Sequence, residues 1–159
     1  SNPMSLLLAI VVLAQGQVTG PDFAVNVEIS QRYDCAVQSP GQEKERFQPY
    51  SVGDYIFLFP AGTDLIVGKS IPYIHTLADG RTYFERATIE AAPPSFGPSF
   101  GFALRTIPGV VLAFTTRGTG AGEEALLRGS HRTVNGKHVE LRGECRVRSG
   151  PIPVSISSP

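Results

Sequence analysis

The chain has 159 residues, with 14 Lys and Arg against 14 Asp and Glu, and 42% of its residues are apolar. This length predicts one domain, and the apolar share excludes a disordered chain. The 17 Gly and 13 Pro argue against a helical bundle. A balanced net charge also argues against nucleic acid, whose phosphates require an excess of Lys and Arg. The balance is uneven along the chain, because residues 1–100 carry 6 basic and 10 acidic groups whereas residues 101–159 carry 8 and 4.

The N-terminal segment indicates where the protein acts. Residues 4–14 form an apolar run of 11 residues, too short for the roughly 20 that span a bilayer but typical of a signal peptide. Ala14 and Gly16 are the small residues that signal peptidase requires, which predicts cleavage before Gln17. We therefore expect residues 1–16 to be a signal peptide, with no stable membrane span afterwards, and the protein to be periplasmic or secreted. The alternative is that this run is a buried strand or helix of the mature domain.

Cys35 and Cys145 are the only cysteines of the chain. In an exported protein an isolated even pair is most simply one disulfide. Inert buried thiols, or a reactive or metal-bound thiol, are the alternatives. The three histidines, His75, His131 and His138, are not close in sequence to either cysteine, which argues against a metal site.

The first half of the chain has the period-two alternation of β-strands. Apolar residues alternate over 23–29, and the pattern continues through 32–37 to a polar loop at 39–46. Residues 55–59 are continuously apolar, which predicts a strand buried on both faces, and residues 64–68 predict another strand. Asp79-Gly80 then predicts a type I′ turn joining strands 71–77 and 82–89. This turn would place His75 opposite Phe84, and Tyr73 opposite Arg86. We expect His75 to have a structural role.

The second half contains a Pro-rich and Phe-rich loop, a strand and a hairpin. Residues 91–102 contain three Pro and three Phe and predict a loop that caps the core or contacts a partner. A strand follows at 110–116. Asn135-Gly136 predicts a tight hairpin whose second strand, 137–147, alternates between apolar and charged residues. That turn would place Cys145 opposite Leu126, and His131 opposite Glu140 in a surface contact. Residues 151–159 resemble a flexible tail.

These elements predict an all-β protein, a small antiparallel β-barrel or sandwich of about eight strands within residues 17–150. We find no sequence motif of a catalytic site and no cluster with metal-ligand spacing. We therefore predict a protein that is not an enzyme and uses no metal or cofactor.

Several short motifs together resemble the plan of the membrane-bound and periplasmic C-type lysozyme inhibitors. They span residues 33–147 in order, and they are Tyr33-Asp34-Cys35, Gly80-Arg81-Thr82-Tyr83, residues 111–118, Ala125-Leu126-Leu127 and the closing strand with Cys145. The resemblance implies a small antiparallel barrel, a disulfide between Cys35 and Cys145, and a loop that enters the lysozyme cleft.

The function that we expect is recognition of a protein partner by an exported barrel, and the resemblance implies that the partner is a lysozyme-like hydrolase that the barrel inhibits. Aromatic residues and arginine are enriched at protein interfaces. The predicted contact residues are Phe96, Phe100, Phe102, Arg117, Arg128 and Arg132, with the arginines facing an acidic partner. The alternatives are a lipocalin-like binder of small apolar ligands and a structural or assembly subunit of the cell envelope.

Overall fold

The computed structural model describes residues 18–19, 24–40, 50–92, 100–116 and 124–157. The predicted signal peptide lies outside these residues. Nine strands and no helix occur within them. The strands are β1 (Val18–Thr19), β2 (Ala24–Gln38), β3 (Gly53–Pro60), β4 (Ser70–Thr76), β5 (Thr82–Ala91), β6 (Phe100–Arg105), β7 (Val110–Thr116), β8 (Glu124–Arg132) and β9 (His138–Ser157). The prediction of an all-β fold is confirmed.

Eight of the strands close into an antiparallel barrel. Their order in the sheet is β5-β4-β3-β2-β9-β8-β7-β6, and β6 pairs with β5 to complete the circuit. The short strand β1 is parallel to β5 and pairs with it at Thr82 and Tyr83. Closure removes the exposed edges of an open sheet, which otherwise invite association with other chains.

Aromatic rings from opposite walls of the barrel meet in its interior. Tyr33 on β2 contacts the rings of Phe59, Phe102 and Phe114, with ring centroids 5.3 to 5.9 Å apart. Phe57 and Phe114 are 5.2 Å apart. Inward residues alternate with outward ones because successive side chains of a strand point to opposite faces. Side chains thus fill this part of the interior, as expected for an eight-stranded barrel.

The disulfide between Cys35 and Cys145 joins β2 to β9. The two residues are direct cross-strand partners, with Cα atoms 4.0 Å apart, and they close a sequence separation of 110 residues. Their side chains are buried in the core. The predicted disulfide is confirmed.

The two predicted hairpins exist, but each pairs one residue out of the predicted register. His75 lies opposite Tyr83, and Cys145 lies opposite Ala125. The register differs because the loop of the first hairpin contains three residues instead of the two that a type I′ turn has. The Leu77 amide donates to the Arg81 carbonyl and the Gly80 amide to the Leu77 carbonyl, which makes a three-residue loop. Among the residues that the structure describes, only glycines have positive φ, so Asp79 and Asn135 do not adopt a type I′ turn.

The other partners in these hairpins change accordingly. Tyr73 faces Glu85 instead of Arg86, and His131 faces Val139 instead of Glu140. The alternation along β9 itself is as predicted. Val139, Leu141, Cys145 and Val147 are buried, and the charged residues between them are exposed.

Two further segments differ from prediction. Residues 64–68 form a turn-rich loop instead of a strand, with Ile66 and Val67 exposed. Local hydrogen bonds, such as the Lys69 amide to the Ile66 carbonyl, hold this loop in place of strand pairing. Residues 151–157, predicted to be a tail, continue β9 and pair with residues 24–29 of β2. Apolar alternation at both chain ends explains this pairing, since Val25 and Val27 face Ile156 and Val154.

The N-terminal part of β2 and the C-terminal part of β9 pair with each other as a two-stranded ribbon, from Ala24 opposite Ser157 to Ile29 opposite Ile152. The ladder shifts register between Ile29 and Gln31, and bulges of this kind bend strands.

Three apolar residues on the outer face of β3, β4 and β5 are buried. Leu58, Ile74 and Phe84 point away from the interior, yet they are only 1%, 1% and 4% exposed. Residues 55–59 therefore form a strand with apolar residues on both faces, as predicted.

Candidate functional site

Of the predicted aromatic contact residues, the structure describes the side chain of Phe102 alone. Phe102 is 1% exposed and stacks on Phe114 with ring centroids 4.7 Å apart. The prediction is wrong for Phe102, which does not end the loop 91–102 but is a core residue of β6 and offers no surface to a partner. The backbone of Phe100 begins β6. Phe96 and Arg117 lie outside the described residues, so their predicted contacts stay predictions.

The other two predicted contacts, Arg128 and Arg132, lie on the outer surface of β8. They are exposed, and β9 beside them also presents arginines outward because of its alternation. We define the arginine face as the outward charged residues of β8 and β9. They are Arg128, Arg132, Arg142, Arg146 and Arg148, together with Glu124, Glu140 and Glu144.

Cross-strand pairing brings like charges together on the arginine face. Arg128 is directly opposite Arg142, and Arg148 is directly opposite Arg32 of β2. Like charges in this position destabilise a sheet. In each pair, the positive charge of one arginine is compensated by a neighbouring carboxylate. The Arg142 guanidinium is 2.9 Å from the Glu140 carboxylate, and Arg32 is 2.9 Å from Asp34.

The other members lack such compensation. Within the described part of the chain, Arg128 and Arg148 form no ion pair. Arg146 is different, since it lies between Asp34 and Glu124 in the ladder. Arg128 and Arg148 are therefore the arginines of this face that are best placed to receive a carboxylate from another molecule.

An exposed leucine lies within the arginine face. Leu126 is 61% exposed and points outward two residues before Arg128, between Glu144 on β9 and Thr115 on β7. Interfaces commonly combine an apolar centre with a polar rim. Leu126 and Arg128 provide both elements on one rigid strand.

No family model, curated protein or solved structure matches the chain. No helix long and apolar enough to cross a membrane is found in the described ranges.

A second cluster lies at one end of the barrel, which we call the His end. It is formed by the turns at 77–81, 106–109 and 133–137 and by residues 50–52, and it includes His75 and His131. The Ser51 hydroxyl is 3.0 Å from Nδ1 of His131 on β8. The Tyr55 hydroxyl on β3 donates to the Ser51 carbonyl at 2.6 Å. Because β3 and β8 are separated by β2 and β9, residues 50–52 lie across the mouth of the barrel.

His75 fixes the other side of this segment. Its Nε2 donates to the Val52 carbonyl at 3.0 Å, and its ring stacks on Tyr55 with centroids 4.0 Å apart. The next residue, Gly53, has a φ of 134°, and a Cβ there would overlap the Thr76 carbonyl oxygen. Glycine is therefore required at the start of β3, because it adopts this φ without strain and has no Cβ to overlap the Thr76 carbonyl oxygen.

Burial changes the titration of both histidines. Desolvation lowers the pKa of His75 below its usual value, although the hydrogen bond to Val52 and the Asp54 carboxylate oppose this effect. Desolvation also lowers the pKa of His131. Both rings are therefore held as neutral imidazoles more strongly than a histidine in water.

The Ser51 and His131 pair has the two side chains of a nucleophile and its base, but the surroundings give it a structural role. Ser51 is 1% exposed, so its hydroxyl is closed to a substrate. In the described ranges no group of three or more His, Cys, Asp or Glu is arranged to hold a metal ion. Sequence reasoning missed Ser51 because it is 80 residues from His131 and no local pattern marks it.

Proposed function

We propose that this protein is an exported β-barrel that binds an acidic protein partner through its arginine face. Two pairs of opposed arginines give this proposal its strongest support. In each pair one arginine, Arg128 or Arg148, forms no ion pair with a carboxylate in the described part of the chain. A partner carboxylate at either position would relieve repulsion that exists in the free protein, so binding and local stability would favour the same contacts.

The rigid frame strengthens the proposal. Arg128 and its neighbours lie on β8 and β9, which are each paired on both sides within the barrel, and the disulfide joins β9 to β2. Side chains on a fixed backbone lose less freedom on binding than those of a mobile loop. Arginine also forms bidentate contacts with carboxylates, which add specificity.

Export of the protein is consistent with the disulfide. Structural disulfides persist in oxidising compartments such as the periplasm and the extracellular space. The Cys35–Cys145 bond closes nearly the whole domain. We therefore include a periplasmic or secreted location in the proposal.

A lysozyme-like hydrolase is the first partner to test, because the sequence resembles C-type lysozyme inhibitors in outline and because the cleft of such an enzyme contains a pair of carboxylates that arginines can contact. The contact surface proposed here is the arginine face, whereas the resemblance implies an inhibitory loop. Binding and inhibition should therefore be measured separately, using a C-type lysozyme, a cell-wall substrate and the purified oxidised protein. The proposal expects binding that weakens as salt is raised, since the contacts are charged.

A charge reversal tests which surface is used. The variant Arg128→Glu/Arg148→Glu should weaken binding of the partner by at least about tenfold, because each lost charged contact at an interface is worth more than about 1 kcal/mol. The matched control is Lys69→Glu, an exposed basic residue in the loop before β4. If both variants bind like the wild type, the arginine face is not the contact surface.

If lysozyme does not bind, capture from periplasmic or host secretions with wild type and the double variant in parallel identifies the partner. The proposal requires a protein that the wild type retains and the double variant loses. If the wild type and the double variant retain the same proteins, the proposal is refuted.

The two alternatives are less well supported. A lipocalin-like ligand requires interior space, and rings from β2, β3, β6 and β7 meet inside the barrel. An envelope assembly subunit requires self-association, which light scattering of the purified protein would reveal as a mass above that of one chain.

A further inference from the structure

The segment 50–52 is held across the His end by side chains from several strands. Tyr55 on β3, His75 on β4 and His131 on β8 each bond to it. The ring of Tyr50 also lies 5.8 Å from that of Tyr83 on β5. These contacts join opposite walls of the barrel through three residues, and Val52 packs on the core beneath them.

We propose that residues 50–52 form an acid-released closure of the His end, held shut by neutral His75 and His131. This closure is independent of the arginine face. When it opens, the inner ends of β3, β4 and β8 become accessible to solvent.

The hydrogen bonds suit neutral rings. His75 donates from Nε2 to a carbonyl, so its Nδ1 carries the lone pair that an added proton would occupy. The Ser51 hydroxyl can donate to Nδ1 of His131 only while that nitrogen is unprotonated. A second proton on either ring places a charge in a poorly hydrated position, which is costly without a compensating carboxylate.

The neighbouring groups offer little compensation to His75. In the described structure, Tyr55 on β3 stacks on its ring and Tyr83 on β5 is its cross-strand partner, and neither side chain is a carboxylate. Asp54 is the one carboxylate that acts on His75, and its pull is weaker than the desolvation.

His131 has apolar cross-strand neighbours. Val110 on β7 and Val139 on β9 lie directly opposite it, and the Ser51 hydroxyl contacts its Nδ1. The adjacent Arg132 is positive and exposed. Among the described residues, Glu140 is the nearest carboxylate in the ladder, but it lies opposite Ser130 and points outward.

Linkage gives the direction of the effect. The pKa of each histidine is lower in the closed form than in an open form where the ring is hydrated. As the pH falls below the usual histidine pKa, the open form therefore gains protons first, and opening becomes easier. Each unit of pKa difference raises the population of the open form by about tenfold once the pH is below both values.

Amide hydrogen exchange tests the closure directly. Exchange at Ser51, Val52 and Gly53 is measured in the wild type at about pH 7.5 and about pH 5, on either side of the usual histidine pKa, and corrected for the intrinsic rate. We expect these amides to lose protection at the lower pH. Protection in the centre of β9 should remain.

Two substitutions remove the titration while keeping the hydrogen bonds. The variant His75→Gln/His131→Asn places an amide near Nε2 of the first ring and near Nδ1 of the second. In this variant the protection should be nearly the same at both pH values. The control is His138→Asn, an exposed histidine at the same end of the barrel, which should behave like the wild type.

Histidine titration by NMR provides a measurement that does not depend on the variants folding. The pH at which the 50–53 amides lose protection should follow the titration of His75 and His131. Protection that is independent of pH in the wild type, or that follows His138, would overturn the proposal. An unchanged pH dependence in a folded double variant would do the same.

Discussion

Removing the disulfide while preserving the volume of the core should reveal how much of the stability comes from the cross-link. The substitution Cys35→Val/Cys145→Val places two β-branched residues at a direct cross-strand pair in the barrel wall. Valine suits a strand and is close in size to the residue that it replaces. The packing loss is therefore small, and the main change is in the unfolded chain.

The magnitude follows from the length of the closed loop. A cross-link across 110 residues restricts the unfolded chain by about 5 kcal/mol in the loop-entropy model. A barrel of this size has a total stability of roughly 5–15 kcal/mol. We therefore expect the double variant to remain marginally folded or to unfold at moderate temperature.

Urea unfolding of the oxidised wild type and the double variant provides the measurement. The free energy of unfolding should fall by about 4 to 5 kcal/mol. The slope against urea should rise, because an unfolded chain without the cross-link exposes more surface. A loss below about 2 kcal/mol with an unchanged slope would refute the reasoning, since the effect would be smaller than the lower end of the usual range.

Three further predictions concern single residues, and unfolding free energies measured in urea check each of them. Phe102→Ala should cost about 3 to 5 kcal/mol because it leaves a cavity in the core, and a cost below about 1 kcal/mol would instead indicate a surface contact residue. Gly53→Ala should cost clearly more than Gly62→Ala, since both positions have positive φ but only the first lies against a neighbouring carbonyl; equal costs would refute this account. Burial raises the pKa of Tyr33 to about 12 and its hydroxyl has no partner in the described structure, so stability should fall as the pH rises from the usual tyrosine value near 10 toward 12. Tyr33→Phe should reduce that alkaline loss and be neutral or stabilising at pH 7, whereas Tyr55→Phe should cost about 1 kcal/mol through its lost hydrogen bond, and the reverse order would contradict the assignment.

The hairpins illustrate how far the sequence predicts the fold. Asp79-Gly80 and Asn135-Gly136 correctly mark the turns, because glycine supplies the positive φ that each loop needs. The loop length is decided by the hydrogen bonds that close it, and a dipeptide does not specify those. The resulting shift by one residue leaves the alternation along each strand intact but changes every cross-strand partner.

The chain ends show a different limit. The pattern over residues 23–29 predicts a strand, but its partner at 151–157 contains Pro151 and Pro153, which suggest a tail. These prolines are compatible with a two-stranded ribbon because half of the amides in each strand point away from the partner. The pairing depends on contacts between the two ends of the chain, which local patterns cannot reveal.

The candidate sites were predictable to unequal degrees. The outward position of Arg128 and Arg132 follows from period two, but the opposition of Arg128 and Arg142 depends on the true register. The contact between Ser51 and His131 depends on the barrel closing, since it links a loop before β3 to the end of β8. A local sequence pattern shows which face of a strand a residue occupies. It does not show which residue of another strand lies opposite.

The same alternation that builds the barrel also separates its two surfaces. Over residues 139–147 of β9, the inward valine, leucine and cysteine side chains are buried, and each outward residue between them is charged. Substitutions on the arginine face should therefore change recognition with little effect on stability, usually within about 0.5 kcal/mol for exposed sites. The Arg128→Glu/Arg148→Glu variant adds a specific expectation, because reversing one member of each opposed pair turns repulsion into attraction. Its unfolding free energy should equal or exceed that of the wild type even as partner binding weakens. A variant that loses stability and binding together would show that these arginines support the sheet instead of a partner.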